Sequence, residues 1–408
     1  MAAMTGAAVA AGIGADTRTT PPRTAAVPRD RILDVPESPA ADLKQAEGLF
    51  REFHKRSEAA YNGDGSWGRG CADPGVFPHI DSPCAKPMIR QSAWRVSGYL
   101  AANTLLHDPV FAARSRAGCG HLAREQRPDG YFPYYLDDSG WPIRDADGIM
   151  YVTGIAVEAL LDGYEAFGDP AFLKAAHRGC EWAMRYPVVP NTNYNSFCVF
   201  ALARTATVMA AAPPEHRPTA SFAWATSRGQ KRPGDDPAHD FIGRAWHFTQ
   251  NGVFPNQQAN GGWPGHNSWV WYQGIILMGH ARLLHALSLL PAGRQFHGLI
   301  GPSLRESAVA AVNYLIRNLT PELDLYQNHE SAEPGGPGWP LLALSALRPE
   351  DVGGGDAVAR LRRLLSGAVV RDSDRRKGVM LHPETKLPDN DTLASDMMAL
   401  GDVLRSGA

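Results

Sequence analysis

Apolar residues recur at i, i+3, i+4 and i+7 through most of the chain, and no long run alternates with period two. A 3.6-residue period gathers apolar side chains into one helical stripe, so the pattern predicts helices and an all-α chain. The predicted helices fall near 42–62, 89–106, 109–125, 149–167, 170–186 and 193–211, then near 238–250, 268–289, 303–319, 338–347, 355–370 and 392–405. They form six pairs. Between the sixth and seventh, residues 212–237 carry Pro213-Pro214 and Arg232-Pro233-Gly234-Asp235-Asp236-Pro237, and read as an insertion or long loop. Residues 1–40 are rich in Ala, Thr and Pro without helical period. They read as a disordered tail ahead of a single domain spanning 41–408.

The pairing is written into the sequence as a repeat. Asp108-Pro109-Val110-Phe111 returns as Asp169-Pro170-Ala171-Phe172, and Gly118-Cys119 as Gly179-Cys180, each 61 positions on. Asp offers a side-chain acceptor at an N-cap, and Pro suits the first helical position, where no N–H is needed. The repeating unit is a helical hairpin, and such units bury their apolar faces only against neighbouring units.

Connections within pairs such as Phe167-Gly168-Asp169-Pro170 are short. Those at 63–88, 126–148, 251–267, 320–337 and 371–391 are long and rich in Gly, Trp, Tyr, Asp and Asn, and all follow the same member of a pair. They therefore emerge at one end, where loops on a rigid scaffold carry function. Three turns stand out: Asn62-Gly63-Asp64-Gly65-Ser66-Trp67, Gln126-Arg127-Pro128-Asp129-Gly130-Tyr131-Phe132 and Asn260-Gly261-Gly262-Trp263-Pro264. Over residues 42–405 this layout resembles the (α/α)6 toroid, in which six inner and six outer helices close into a ring. The resemblance implies an active site at the long-loop end. It also implies one of two enzyme groups: carbohydrate-active hydrolases, lyases and epimerases, or terpene cyclases and prenyltransferases. An open helical solenoid is the structural alternative.

Composition narrows the partners. A net charge of −2 gives no basic footprint for nucleic acid or an anionic membrane, and no apolar run approaches the roughly 20 residues of a bilayer span. The five cysteines (71, 84, 119, 180 and 198) are odd in number, widely spaced and without a C-x-x-C pair. They indicate neither a zinc ribbon nor a disulfide framework, and fit a reduced cytoplasmic setting. The first residues lack the charged n-region and strong h-region of a signal peptide, although export stays open. No H-E-x-x-H, EF-hand, GxGxxG or Walker A pattern is present, so neither metal nor nucleotide cofactor is expected. His79 and Asp81 read as a surface loop pair.

The densest cluster runs from Asn256 through Trp263, His266 and Asn267 into a helix carrying Trp269, Trp271 and Tyr272. Orphan N–H groups at a helix start favour a carboxylate. A neutral His266 as base and Tyr272 as acid suit β-elimination from a uronic acid, with Asn193, Asn195 or Asn267 bonding the carboxylate as charge develops on it. Those residue types resemble the toroidal polysaccharide lyases, in one loop and no further. A second region, 126–151, supplies Asp129, Tyr131, Tyr135, Asp147 and Tyr151 for stacking and acid–base work. A hydrolase needs two carboxylates about 5–5.5 Å apart if retaining or 6.5–9.5 Å if inverting, and Asp64, Asp129, Asp147 and Asp391 are the candidates. Trp67 and Trp263 are candidate sugar platforms. The competing bland roles are turn residue for Asp129, N-cap for Asn267 and helix cap for the 191–195 amides.

The sequence thus points first to an enzyme on a uronate-containing saccharide, lyase ahead of hydrolase, with a small molecule or oligosaccharide as partner. A terpene or natural-product cyclase or dehydratase is the alternative, although Asp145-Ala146-Asp147-Gly148 is not the D-x-D-D acid motif of squalene-type cyclases. A non-catalytic helical binding array is the third class.

Overall fold

The computed structural model describes residues 26–67, 89–133, 147–226, 229–264, 267, 270–318, 338–376 and 390–407. The side chains of 292, 295, 376 and 390–392 fall outside that description. Thirteen helices are found among these residues: α1 (Leu43–Ala59), α2 (Ile89–Leu106), α3 (Pro109–Glu125), α4 (Gly148–Phe167), α5 (Pro170–Arg185), α6 (Thr192–Ala211) and α7 (Ala238–Phe248), followed by α8 (Val270–Leu289), α9 (Pro291–Asn318), α10 (Gly338–Ala346), the single turn α11 (Pro349–Val352), α12 (Gly355–Arg376) and α13 (Asn390–Gly407).

Helices α2, α4, α6, α8, α10 and α13 each pack on the next, and α13 packs back on α2, so the inner ring closes. Closure excludes the open solenoid. Helices α1, α3, α5, α7, α9 and α12 lie outside, each against the inner ring. The division follows the sequence: α4 and α6 are buried along most of their length, as an inner helix with neighbours on every side requires. The architecture is the (α/α)6 toroid.

The repeat is visible in three dimensions. Asp108 Oδ1 accepts from Val110 N at 2.9 Å, and Asp169 Oδ1 from Ala171 N at 3.0 Å, capping α3 and α5. A Cβ on Gly118 would stand 2.5 Å from Val96 Cγ2, and one on Gly179 2.7 Å from Val157 Cγ2, so each glycine lets an outer helix close onto an inner one. Val96 and Val157 are themselves 61 positions apart. Cys119 and Cys180 are fully buried thiols, as a small apolar role in the repeat demands.

The aromatic turns prove to be part of the same scaffold. Gly65, Gly130 and Gly261 have φ of +96°, +106° and +90°, and a Cβ on each would lie 2.0–2.2 Å from the carbonyl oxygens of Ala117, Arg178 and Ala310 respectively. Each turn therefore lays bare backbone on the next outer helix, which only glycine permits. The last turn of that helix reaches back: Arg124 Nη2 donates to the Asp64 carbonyl at 2.7 Å, and Arg185 Nη2 to that of Asp129 at 2.8 Å. Gln126 Nε2 donates to the carbonyls of Gly130 and Ala175, and Gln257 Nε2 to those of Gly261 and Ser307.

Three expectations need correction. Residues 26–40, read as tail, are held on the scaffold. Val27 N donates to Ala259 O at 3.1 Å, Val27 and Val35 are buried, and Asn313 of α9 accepts from Leu33 N and donates to the carbonyls of Pro28 and Arg31. An extended strap has no helical period, and its partner Asn313 is buried and needs those bonds. Helix α9 begins at Pro291 rather than 303 and runs through Pro302. The carbonyl that Pro302 cannot serve belongs to Gly298, on an exposed face. Helix α12 extends to Arg376. The 212–237 segment holds a short antiparallel hairpin, β1 (Trp224–Thr226) with β2 (Gly229–Lys231), and is tied to α5 by Ser221, whose N–H and hydroxyl donate to the buried Glu181 carboxylate. No helix among the described residues is long and apolar enough to cross a membrane.

Candidate functional site

Every inner helix starts at the same end of the ring, because each is joined to the last through an outer helix running the opposite way. Six N-termini thus face one mouth, and the positive ends of their helix dipoles make it favourable to an anion. The first turns of these helices bring aromatic, cationic and amide side chains together. On α2, Arg90 places its guanidinium 5.9 Å from the Trp94 ring and 5.8 Å from the Tyr151 ring of α4. Tyr151 stacks on Tyr194 of α6 at 6.4 Å and 15° and meets Phe197 edge-on at 4.8 Å. Phe197 in turn meets Trp339 of α10 at 5.8 Å. A continuous aromatic wall with one cation against two of its faces results.

Two polar pairs flank this wall. Asp147 stands at the N-cap position of α4 yet makes no side-chain capping bond; its Oδ1 accepts from the Tyr186 hydroxyl at 2.8 Å. Asn193 donates from Nδ2 to Asn267 Oδ1 at 3.0 Å and from its backbone N at 3.3 Å. The Asn193 Oδ1 is buried without a hydrogen-bond partner among the described residues. Asn267 is held by Gln273, whose Nε2 donates to its carbonyl and to that of Trp263. Trp271 and Tyr272 stack at 4.0 Å at the start of α8.

Of the residues named from sequence, Tyr151, Asn193 and Tyr272 therefore lie on the first turns that face the mouth, and Asp147 and Asn267 lie just ahead of such turns. Others are placed in the scaffold. Trp67 and Trp263 are 0% and 1% exposed, which leaves no ring face for a ligand. Asp64 closes its own turn, accepting from Ser66 N at 2.9 Å and Ser66 Oγ at 2.6 Å. Burial works against the Asp64 charge, but the Ser66 bonds hold its carboxyl below the usual value. Asp129 is exposed in its turn, and Tyr131 packs on Trp182 at 6.1 Å. Asn195 is fully buried and spends its amide on the backbone of Val189, Asn191 and Gly252. His266 and Tyr135 lie outside the described residues, as does the Asp391 side chain. His79 and Asp81 lie outside them too.

Sequence reading did not single out Arg90 and Trp94, whereas Tyr194 fell within the 191–198 cluster it marked. The signal was present: Arg90 and Trp94 are four apart, on one face of the first turns after a long connection. Among the described residues, no group of three His, Cys, Asp or Glu side chains is placed to hold a metal ion.

No family model matches the chain, and no curated protein matches it. Solved structures do. An unsaturated glucuronyl hydrolase from Streptococcus agalactiae is 11% identical with a TM-score of 0.52, over 93% of this chain and 98% of that one. A GH76 α-mannanase from Bacteroides thetaiotaomicron is 9% identical with a TM-score of 0.52, over 89% and 96%. At such identities the likeness is one of fold, and it agrees with the closed toroid.

Proposed function

We propose that the chain is an enzyme that cleaves or modifies a uronate-containing saccharide at the N-terminal mouth of the inner ring. The observation that carries this reading is the wall of Trp94, Tyr151 and Tyr194 with the Arg90 guanidinium against it, set where six helix N-termini converge. Flat ring faces suit the apolar face of a sugar, and the cation and N–H groups suit its carboxylate. The fold shared with a glucuronyl hydrolase and a mannanase supports saccharide chemistry.

In this reading Asn193 and Asn267 hydrogen-bond the uronate carboxylate as charge builds on it. His266 takes the proton from the carbon beside that carboxylate, and Tyr272 gives a proton to the departing glycosidic oxygen. One C–H and one C–O bond break and a C=C bond forms. A hydrolytic variant of the same site uses Asp147 as acid, oriented by Tyr186. Incubation with a panel of uronate oligosaccharides is the test: ultraviolet absorbance from the new conjugated double bond grows with wild type and is lost with His266→Ala. New reducing ends without absorbance indicate hydrolysis, and neither signal on any uronate rejects the reading.

A cyclase or dehydratase on an apolar natural product is the second reading. It draws on Ile155, Met278 and Met398, which make the throat below the wall apolar. The binding-array reading needs an open concave surface, which the closed ring does not offer.

A further inference from the structure

The axis of the toroid holds a cavity of about 330 Å³ that reaches the opposite end, where the inner helices finish. Its floor is apolar, built from Trp94, Ile155, Met278, Trp339 and Met398. Above the floor runs a charged belt. Arg204, 8% exposed, donates to Glu158 and, at 2.6 Å each, to Asp162 and Glu165, three acids on one face of α4. Ser97 adds a bond to Asp162 at 2.6 Å, and Arg282 one to Glu158 at 3.2 Å. At the rim Arg405 pairs with Asp402, which also accepts from Ser345 at 2.7 Å.

Each of these carboxylates is thus claimed by an arginine, whereas one arginine is claimed by no carboxylate among the described residues. Arg362 of α12 lines the cavity and donates only to Ser406 Oγ, at 3.2 Å, among the described residues. Its Nε, like that of Arg282, is buried without a partner there. A guanidinium carries five donors, so most of the Arg362 capacity is open. Glu158 Oε1 also lacks a partner, but its carboxylate already serves two guanidinium groups.

An apolar floor, a rim cation with spare donors and a volume in the ordinary range for small-molecule sites belong together. We propose that this cavity is a second ligand site, for a small amphipathic anion whose apolar body rests on the floor and whose carboxylate or phosphate group is held by Arg362, with Arg282 beneath. It adjoins the mouth and does not rest on which reaction is run there. The two sites share rings, since Trp94 and Trp339 belong to the aromatic wall above as well as to this floor.

Calorimetric titration of the full chain with octanoate, octyl phosphate and octylamine tests the proposal. One or both anions bind at one per chain and octylamine does not; which anion binds tells carboxylate from phosphate ester. Arg362→Met weakens binding at least tenfold, and Ala346→Trp, which fills the cavity from α10, abolishes it. The absence of saturable binding by either anion overturns the proposal, as do undiminished binding by the Ala346→Trp protein or tighter binding of octylamine. If Arg362→Met does not fold, Arg362→Gln with the Ala346→Trp arm gives the same decision.

Discussion

Asp147 forgoes the capping bond that an Asp at a helix start ordinarily makes, worth about 1 kcal/mol, and turns its carboxylate to Tyr186 instead. Asp108 and Asp169, at equivalent helix starts on the outside, do cap. The same residue type thus caps a helix outside the ring and leaves its helix uncapped at the mouth, a difference no local pattern encodes. For this reason Asp64 and Asp129 could not be told from Asp147 in the sequence. At the proposed site, Tyr272→Phe lowers kcat on the true substrate about 10²–10⁴-fold with KM little changed, as removal of a general acid does; steady-state kinetics check this. A second prediction concerns a buried scaffold residue. His177, 1% exposed, lies beside Glu181 and Phe241, and burial pushes its imidazole down to about 4. Because the folded value is depressed, the unfolded chain takes up the proton first. Stability from this group is complete above pH 6.5 and is lost as pH falls toward 4. His177→Gln takes up about one proton less on unfolding at pH 5, measurable from the slope of stability against pH.

At the scale of elements, the hairpins were legible because their signals are local. Capping Asp-Pro pairs and helical period act within a few turns, and of the twelve predicted helices all but one start and all but two ends agree with the structure to within about two residues. The exceptions are long-range. Residues 26–40 are ordered by a partner in α9, and the first half of α9 is helical despite Pro302. The aromatic turns were legible as markers of the fold, but their purpose is to seat one hairpin on the next. Gly130→Ala places a Cβ at 2.2 Å from the Arg178 carbonyl in a left-handed conformation, and costs about 2–4 kcal/mol in denaturant unfolding. Gly168, at φ +66° with open space around it, is the control: Gly168→Ala costs about 1 kcal/mol.

For the whole molecule, ring closure sets the two ends apart. Inner-helix starts and aromatic faces gather at one; inner-helix ends and the Arg204 belt occupy the other. The acids at Glu158, Asp162 and Glu165, spaced i, i+4, i+7 on an otherwise apolar helix, were the sequence sign of a lumen-facing charge, visible only once α4 is known to be inner. Burial alone would raise the Asp162 carboxyl, but the Arg204 charge and the Ser97 and Arg204 bonds hold it below its usual value. Arg204→Met leaves the Asp162 carboxylate in the lumen without its paired cation, with only the Ser97 bond among the described residues, and costs roughly 3–5 kcal/mol in equilibrium unfolding. The central claim, that the mouth reads an anionic sugar, is tested most directly by calorimetric titration with an oligouronate and with its carboxyl-reduced, neutral counterpart. The account predicts that wild type binds the oligouronate and not the neutral form, and that Arg90→Met weakens this binding at least tenfold. Equal binding of the two sugars, or none of either, would contradict it.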